Sequence, residues 1–346
     1  MDGLDIMRNP TQQFSTPLGV LFTLILILMI LVFPQPSTGQ SDQSDLTGIQ
    51  VALYTGGPTS ESSRESLSRM FSWMNASVTV LSGSAIREGE LENFDLVVIP
   101  GGYAPDFIDD IGARGLDKIR DFTSNGGSFI GVCAGAYFAS DYIIWQGIPT
   151  EYRLDLFDGA AVGAIDQIAP WPNFQMCTIS INRNSIRIDL SSEPANHTIM
   201  YFGGPYFLPS DPSEIEILAT YDINDEAAMI SFEYGQGRVF LSGPHPEWEE
   251  DSDRDNASWP DDFDDNGSEW NLMLSVSLWL TENVNKPSIT EFQLPHLVGV
   301  AFLVVGAIGT VAIFIHVLRN RVDYRNKFYQ RGPETADLLM FTFVHS

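Results

Sequence analysis

The stretch Gly126-Gly-Ser-Phe-Ile-Gly-Val-Cys-Ala-Gly-Ala-Tyr-Phe138 decides the fold. Gly126-Gly127 stops a helix read over Gly115–Asn125, whose Leu116, Ile119 and Phe122 face inward. Ser128–Val132 is an uncharged strand, and a second helix begins at Ala134. Upstream the alternation repeats. Ile49–Tyr54 reads as a strand, Ser60–Asn75 as a helix, and Ala76–Leu81 and Phe94–Pro100 as further strands. These strands are apolar on both faces. A parallel sheet covered by helices on each side explains that. Ligands in such sheets bind beyond the carboxyl ends of the strands. The turns at Gly56, Gly101 and Cys133 each follow a strand and are expected on that edge.

The second half reads as more β-rich. Strands are expected at Thr178–Ile181, Ser185–Leu190, Thr198–Phe202, Glu214–Tyr221, Ala227–Glu233 and Arg238–Ser242. Gly235-Gln-Gly237 separates the last two as a hairpin turn. Trp270–Leu280 reads as a closing helix.

Cys133 sits between a buried strand and a helix, in Gly131-Val-Cys-Ala-Gly135. A nucleophile at a sharp strand-to-helix turn needs small neighbours, because the backbone is strained and the side chain must point outward. A helix start also favours a thiolate. The N–H of Ala134 then serves as one oxyanion donor, and the Gly101-Gly102 turn as the second. Ser242-Gly-Pro-His-Pro-Glu247 offers a base, His245, and an orienting acid, Glu247, again just after a strand. Residues two apart in an extended stretch face the same side. The residues alone leave another reading open, in which Cys133 is a small buried hydrophobe or pairs with Cys177 in a disulfide. Cys133 as an oxidisable redox sensor is a third.

Four segments carry a resemblance: Val98-Ile-Pro-Gly-Gly102, Gly126–Phe138, Tyr201-Phe-Gly-Gly-Pro-Tyr-Phe207 and Gly237–Glu247. Together they resemble the class I glutamine-amidotransferase-like superfamily, and most of all the domain found at the N-terminus of some biotin–protein ligases. The resemblance implies a flavodoxin-like doubly wound sheet with Cys133 as nucleophile, His245 as base and Glu247 as orienting acid. It also implies a pocket lined by Tyr137, Gly203, Gly204 and Pro205. Glutamine-hydrolysing relatives usually carry Gln four residues after the nucleophile, where this chain has Tyr137. Free glutamine is therefore not the expected substrate. Biotinylation is not expected either, because an apolar run stands where a ligase catalytic domain would begin. What remains is a thiol hydrolase or amidase for an unknown small-molecule or peptide-like substrate. The alternative is a non-catalytic ligand-binding or scaffold domain on the same fold. No cofactor is expected.

Composition sets the surroundings. The 346 residues include 45 acidic and 18 basic side chains, a formal charge of -27. That argues against a nucleic-acid partner, which would need a basic footprint. Two cysteines cannot build a disulfide-rich scaffold. Leu18–Phe33 is uncharged and lies between Pro17 and Pro34, so residues 1–39 read as a signal peptide or an N-terminal anchor. Leu297–Leu318 is an uncharged run of membrane-spanning length, and Arg319, Arg321, Arg325, Lys327 and Arg331 follow it. By the positive-inside rule the tail 319–346 is expected in the cytoplasm, with the lipid bilayer as partner and residues 48–281 outside the cell membrane. Residues 40–47 read as a linker, 282–295 as a stalk and 296–318 as the transmembrane helix. Sequons at Asn75, Asn196, Asn256 and Asn266 agree with an outside location. Asp251, Asp253, Asp255 and Asp262 fall at positions 1, 3, 5 and 12 of a calcium loop, but Asn256 replaces its glycine. The competing reading is a solvated acidic loop.

Overall fold

A computed structural model describes residues 45–249, 252–261, 263, 267–284 and 310–320. Five strands form the parallel heart of the sheet: β1 (Gln50–Tyr54), β2 (Ser77–Leu81), β3 (Leu96–Ile99), β4 (Ser128–Val132) and, from far along the chain, β13 (Gly237–Ser242). Their order is β2-β1-β3-β4-β13, and every neighbouring pair is parallel. Counting β13 fifth, this is the 2-1-3-4-5 order of flavodoxin-like sheets.

The period-two alternation of β1 shows why both faces are covered. Val51 and Leu53 enter one core, with Leu67, Met70 and Phe71 of α1 (Glu61–Trp73) and Trp270, Met273 and Val276 of α5 (Trp270–Thr281). Ala52 and Tyr54 enter the other, with Ile86 of α2 (Gly83–Glu88) and Phe107, Leu116 and Ile119 of α3 (Ala104–Ser124). Phe138 of α4 (Ala134–Ala139) joins that second core. Ser60 caps α1 by accepting from the Ser63 N–H. Gly112, at φ 66° and ψ 164°, divides α3 into two helical pieces. The sequence reading found only the second piece, from Gly115.

Beyond β13 the sheet turns largely antiparallel. β12 (Ala227–Tyr234) pairs with β13 across Gly235-Gln236, with Tyr234 opposite Gly237. Then follow β10 (Tyr206–Pro209), β7 (Phe157–Gly163), β5 (Ser140–Trp145) and β6 (Ile148–Glu151). A side branch of β11 (Ile215–Tyr221), β8 (Gln175–Ile181) and β9 (Asn196–Tyr201) leaves from β12. Ser185–Leu190 is not a strand, contrary to expectation. The Glu216 carboxylate accepts from the Ile186 and Arg187 N–H groups, which removes them from any ladder, and Ile186 is fully in solvent.

Residues 310–320 are helical and exposed. Among the described residues no helix is long and apolar enough to cross a membrane. The rest of the expected span, residues 297–309, lies outside the described residues, as do residues 1–44.

Candidate active site

All five parallel strands point their carboxyl ends to one edge, and three of those ends meet there. Cys133 follows β4 at φ 51° and ψ -104°, a strained conformation for a side chain with a Cβ. Its N–H donates to the Ser242 carbonyl at the end of β13, 2.8 Å away. The turn is possible because its flanks are bare. A methyl on Gly131 would lie 2.6 Å from the Gly135 carbonyl oxygen, and one on Gly135 would collide with the Ile99 carbonyl. Cys133 is 8% exposed, and its thiol lies 3.5 Å from the Phe202 carbonyl oxygen. Cys133 and Cys177 are not joined in a disulfide.

His245 and Glu247 follow β13. The His245 N–H donates to the Met200 carbonyl, which fixes the loop against β9. The Trp270 indole donates to the Glu247 carbonyl at 3.1 Å, which fixes the other side. His245 Nδ1 then lies 2.9 Å from Glu247 Oε1. His245 Nε2 is buried and has no oxygen or nitrogen partner among the described residues. The group it senses is the Cys133 sulfur. Burial alone would lower the imidazole pKa, but the Glu247 carboxylate and the Cys133 sulfur outweigh it and hold the pKa up to about 10. A sulfur near the ring nitrogen, outside strict hydrogen-bond geometry, fits both observations. Such contacts tighten only when substrate is bound.

Ser63 completes the arrangement, and the sequence reading did not single it out. Its hydroxyl donates to Glu247 Oε1 at 2.6 Å and accepts from the Gly101 N–H at 3.0 Å. This corrects one expectation: the Gly101 N–H is turned to Ser63 and does not face a substrate. Gly102 sits in a two-point bridge with Thr59, made by the bonds Ser60 N–H to Gly101 carbonyl and Tyr103 N–H to Pro58 carbonyl. In that geometry the Gly102 N–H points away from residues 58–60. The Ala134 N–H is the first donor of α4 and has no intrahelical acceptor.

The expected pocket residues are close to the thiol, but largely as packing. The Tyr137 hydroxyl is buried and donates to the Gly203 carbonyl at 3.0 Å. Burial pushes its pKa well up, so it stays protonated. A methyl on Gly204 would collide with the Gly243 carbonyl, and the Pro205 carbonyl accepts from the Tyr221 hydroxyl. These contacts press the 202–205 turn onto Cys133.

Aromatic rings surround the pair. The His245 ring stacks on Trp248, with centroids 3.9 Å apart and planes 16° apart. Trp248 meets Trp259, Trp259 meets Phe174 and Phe202, and Phe202 stacks on Trp171. His245 Nε2, Glu247 Oε2 and Trp248 Nε1 are all buried without a hydrogen-bond partner among the described residues. Such orphans are rare in native proteins, and three of them fall at this one site. Two surface clefts, one at Asn182, Arg183 and Ser191 and one at Asp141, Asp158 and Asp211, contain none of these residues.

Two of the four calcium candidates, Asp253 and Asp255, fall among the described residues. Asp255 is fully buried and accepts from the Glu249 and Ala257 N–H groups, so it is a strut of its own turn. Asp253 is exposed, and Asp251 and Asp262 lie outside the described residues. No group of three ligating side chains that could hold a metal occurs among the described residues.

Comparison with known proteins now adds identity. The family model described as "Biotin-protein ligase, N terminal" matches residues 49–269. The chain belongs to this family. It is 30% identical over 165 residues to a biotin–protein ligase of Schizosaccharomyces pombe, across 44% of this chain and 25% of that one. It is also 30% identical over 166 residues to an uncharacterised protein of Chlamydia muridarum, across 45% of this chain and 62% of that one. The match therefore spans less than two thirds of either relative. Among solved structures, a glutamine amidotransferase aligns with 58% of this chain and 91% of its own at 18% identity and a TM-score of 0.42. The matched residues 49–269 hold Cys133, His245 and Glu247, so the site lies within the family domain.

Proposed function

We propose that residues 45–284 form a thiol hydrolase domain that cleaves an amide or peptide-like substrate through Cys133, His245 and Glu247. The observation that carries this is the convergence of a strained, glycine-flanked cysteine with a carboxylate-held histidine whose second ring nitrogen has no oxygen or nitrogen partner among the described residues. His245, kept protonated by its raised pKa, already carries the proton that the thiol gives up, and Sγ attacks the substrate carbonyl carbon. The carbonyl electron pair moves to oxygen, where the Ala134 and Gly102 N–H groups can meet it. Collapse of that intermediate expels the amine, which leaves with the proton from His245. Water then attacks the thioester, His245 takes its proton, and the acid departs as the thiol re-forms. Glu247 holds the ring and stabilises the imidazolium.

The test is alkylation of Cys133 across pH, read by peptide mass spectrometry. Labelling near neutral pH is expected to exceed that of glutathione by about tenfold and to lose that excess in His245→Ala. Equal rates in both proteins would overturn the assignment. They would favour the second reading, a binding domain, which the contact between the Cys133 thiol and the Phe202 carbonyl supports.

The location is part of the proposal. Leu297–Leu318 serves as a membrane anchor with the arginines after it inside the cell, and the domain faces outward. The sequon residues Asn75, Asn196 and Asn256 are exposed, as glycan acceptors must be. Protease treatment of intact cells should remove the domain and spare a tag placed after Ser346. Protection of the domain would reverse the topology.

A further inference from the structure

We infer that the substrate carries an aromatic or similarly flat apolar group beside an uncharged amide, and that Trp171, Phe174 and Phe202 seat that group. The inference rests on the reading of Cys133 as a nucleophile and adds what it acts upon.

The aromatic residues at the site form a circuit that begins and ends on the reacting groups. The Phe202 carbonyl touches the Cys133 thiol, and the Phe202 ring stacks on Trp171 with centroids 5.4 Å apart. Phe174 packs edge-on against Phe202 at 5.4 Å and Trp259 at 4.8 Å. Trp259 meets Trp248, and Trp248 lies flat on His245. A cluster that only filled space would be buried throughout. Trp171 is 44% exposed and Phe174 is 38% exposed, so the rim opens to solvent. At its inner end, Trp248 Nε1 is a buried donor without a partner among the described residues. A second substrate carbonyl, distinct from the one Cys133 attacks, would supply its missing acceptor.

Charge narrows the class. Arg254 is consumed: Glu249 holds it at 2.6 and 2.8 Å, and it lies 4.0 Å over the Trp270 ring. Arg64 rests on the Thr59 hydroxyl at the Gly102 turn. Glu249 neutralises Arg254 and Glu247 holds His245, so neither cation is left to bind an anion. Free amino acids with an exposed carboxylate therefore fit poorly. Flat rings fit well, because offset and edge-on contacts between rings add to simple burial.

Three iodo-electrophiles test this on the full chain: iodoacetamide, N-benzyl-iodoacetamide and iodoacetate. In each, Sγ displaces iodide and the thiol proton is lost. Each Cys133 rate is divided by the rate of the same reagent with glutathione, which removes intrinsic reactivity. The benzyl amide should gain about tenfold over iodoacetamide, and iodoacetate should fall below it. In Trp171→Ala and Phe174→Ala the benzyl gain should shrink towards one while the iodoacetamide rate stays within about twofold. Equal normalised rates for all three reagents, or a preference for iodoacetate, would overturn the inference. Failure of the underlying reading is separate: iodoacetamide itself would then react no faster than with glutathione and would ignore His245→Ala.

Discussion

Two buried histidines meet the same strand, β9, and do opposite things. His197, on β9, is held on both ring nitrogens: Nδ1 is 2.9 Å from Glu269 Oε1 and Nε2 is 3.2 Å from Glu193 Oε2. His245 has a carboxylate on one nitrogen only, and the other is left to a sulfur. The same frame serves both. Glu269 and Trp270 are neighbours, the first holding His197 and the second holding the Glu247 carbonyl. Met200, three residues after His197, receives the His245 N–H. A histidine saturated on both sides can only hold structure together, whereas a half-saturated one has a nitrogen left for a proton. Burial and carboxylate contact, shared by both, do not distinguish them.

The largest expected effect falls on His197. Its removal takes the imidazole away from two buried carboxylates at once. His197→Ala should lower the unfolding free energy by about 4 kcal/mol in urea titration. Cys133 labelling of the folded fraction should stay within about twofold. A small stability loss, or a collapse of labelling, would erase the proposed division of labour. The carboxylates sharpen the contrast further. Glu247→Gln should slow Cys133 labelling about tenfold, because a neutral amide no longer stabilises the imidazolium. Glu269→Gln should leave that rate nearly unchanged and cost stability instead. Similar labelling in the two variants would mean that proximity of the acid to His245 does not matter.

Ser63 tests the comparison from the opposite side. One hydroxyl joins the Gly101 turn to the acid of the site. Ser63→Ala leaves a buried N–H unpaired and frees one lone pair of Glu247. The expected loss is about 1 kcal/mol in unfolding and roughly threefold in Cys133 labelling. A change in stability alone would make Ser63 a strut of the fold.

The parallel half of the fold was legible because its cues are local. Uncharged strands, glycine stops and the cysteine turn placed β1, β3, β4 and their edge correctly, and Gly235-Gln236 gave the last hairpin. Cys133, His245 and Glu247 lay in three-dimensional order because each follows a strand of the same parallel set. What escaped depended on distant partners. The helix expected to begin at Ala134 does so but stops at Ala139, and β5 begins at Ser140, paired with β7. Ser185–Leu190 looked like a strand until the Glu216 side chain claimed its N–H groups. Ser63 lies 184 residues from Glu247, and no spacing rule joins a helix serine to a loop acid. His197 was passed over inside a sequon, because only the folded chain brings Glu193 and Glu269 to it.

In the pH dependence of stability the two histidines differ in range. Each has a folded pKa raised above the ordinary 6.5, to about 9 for His197 and about 10 for His245. In both cases burial works against the shift, and the facing acidic groups overcome it. For His197 these are Glu193 and Glu269; for His245 they are Glu247 and Cys133. A raised pKa means that the native state holds the proton more tightly than the unfolded chain. That contribution is complete below about pH 6.5 and is lost as pH climbs through the folded value. Unfolding free energy should therefore decline between pH 7 and 10. In His197→Gln the part of the decline that ends near pH 9 should disappear, and the part that ends near pH 10 should remain. Cys133→Ala should do the reverse and end the His245 contribution at lower pH, because the sulfur is one of the groups holding that proton. If Cys133→Ala leaves the alkaline limb unmoved, the sulfur does not face the His245 ring nitrogen, and the two histidines become alike after all.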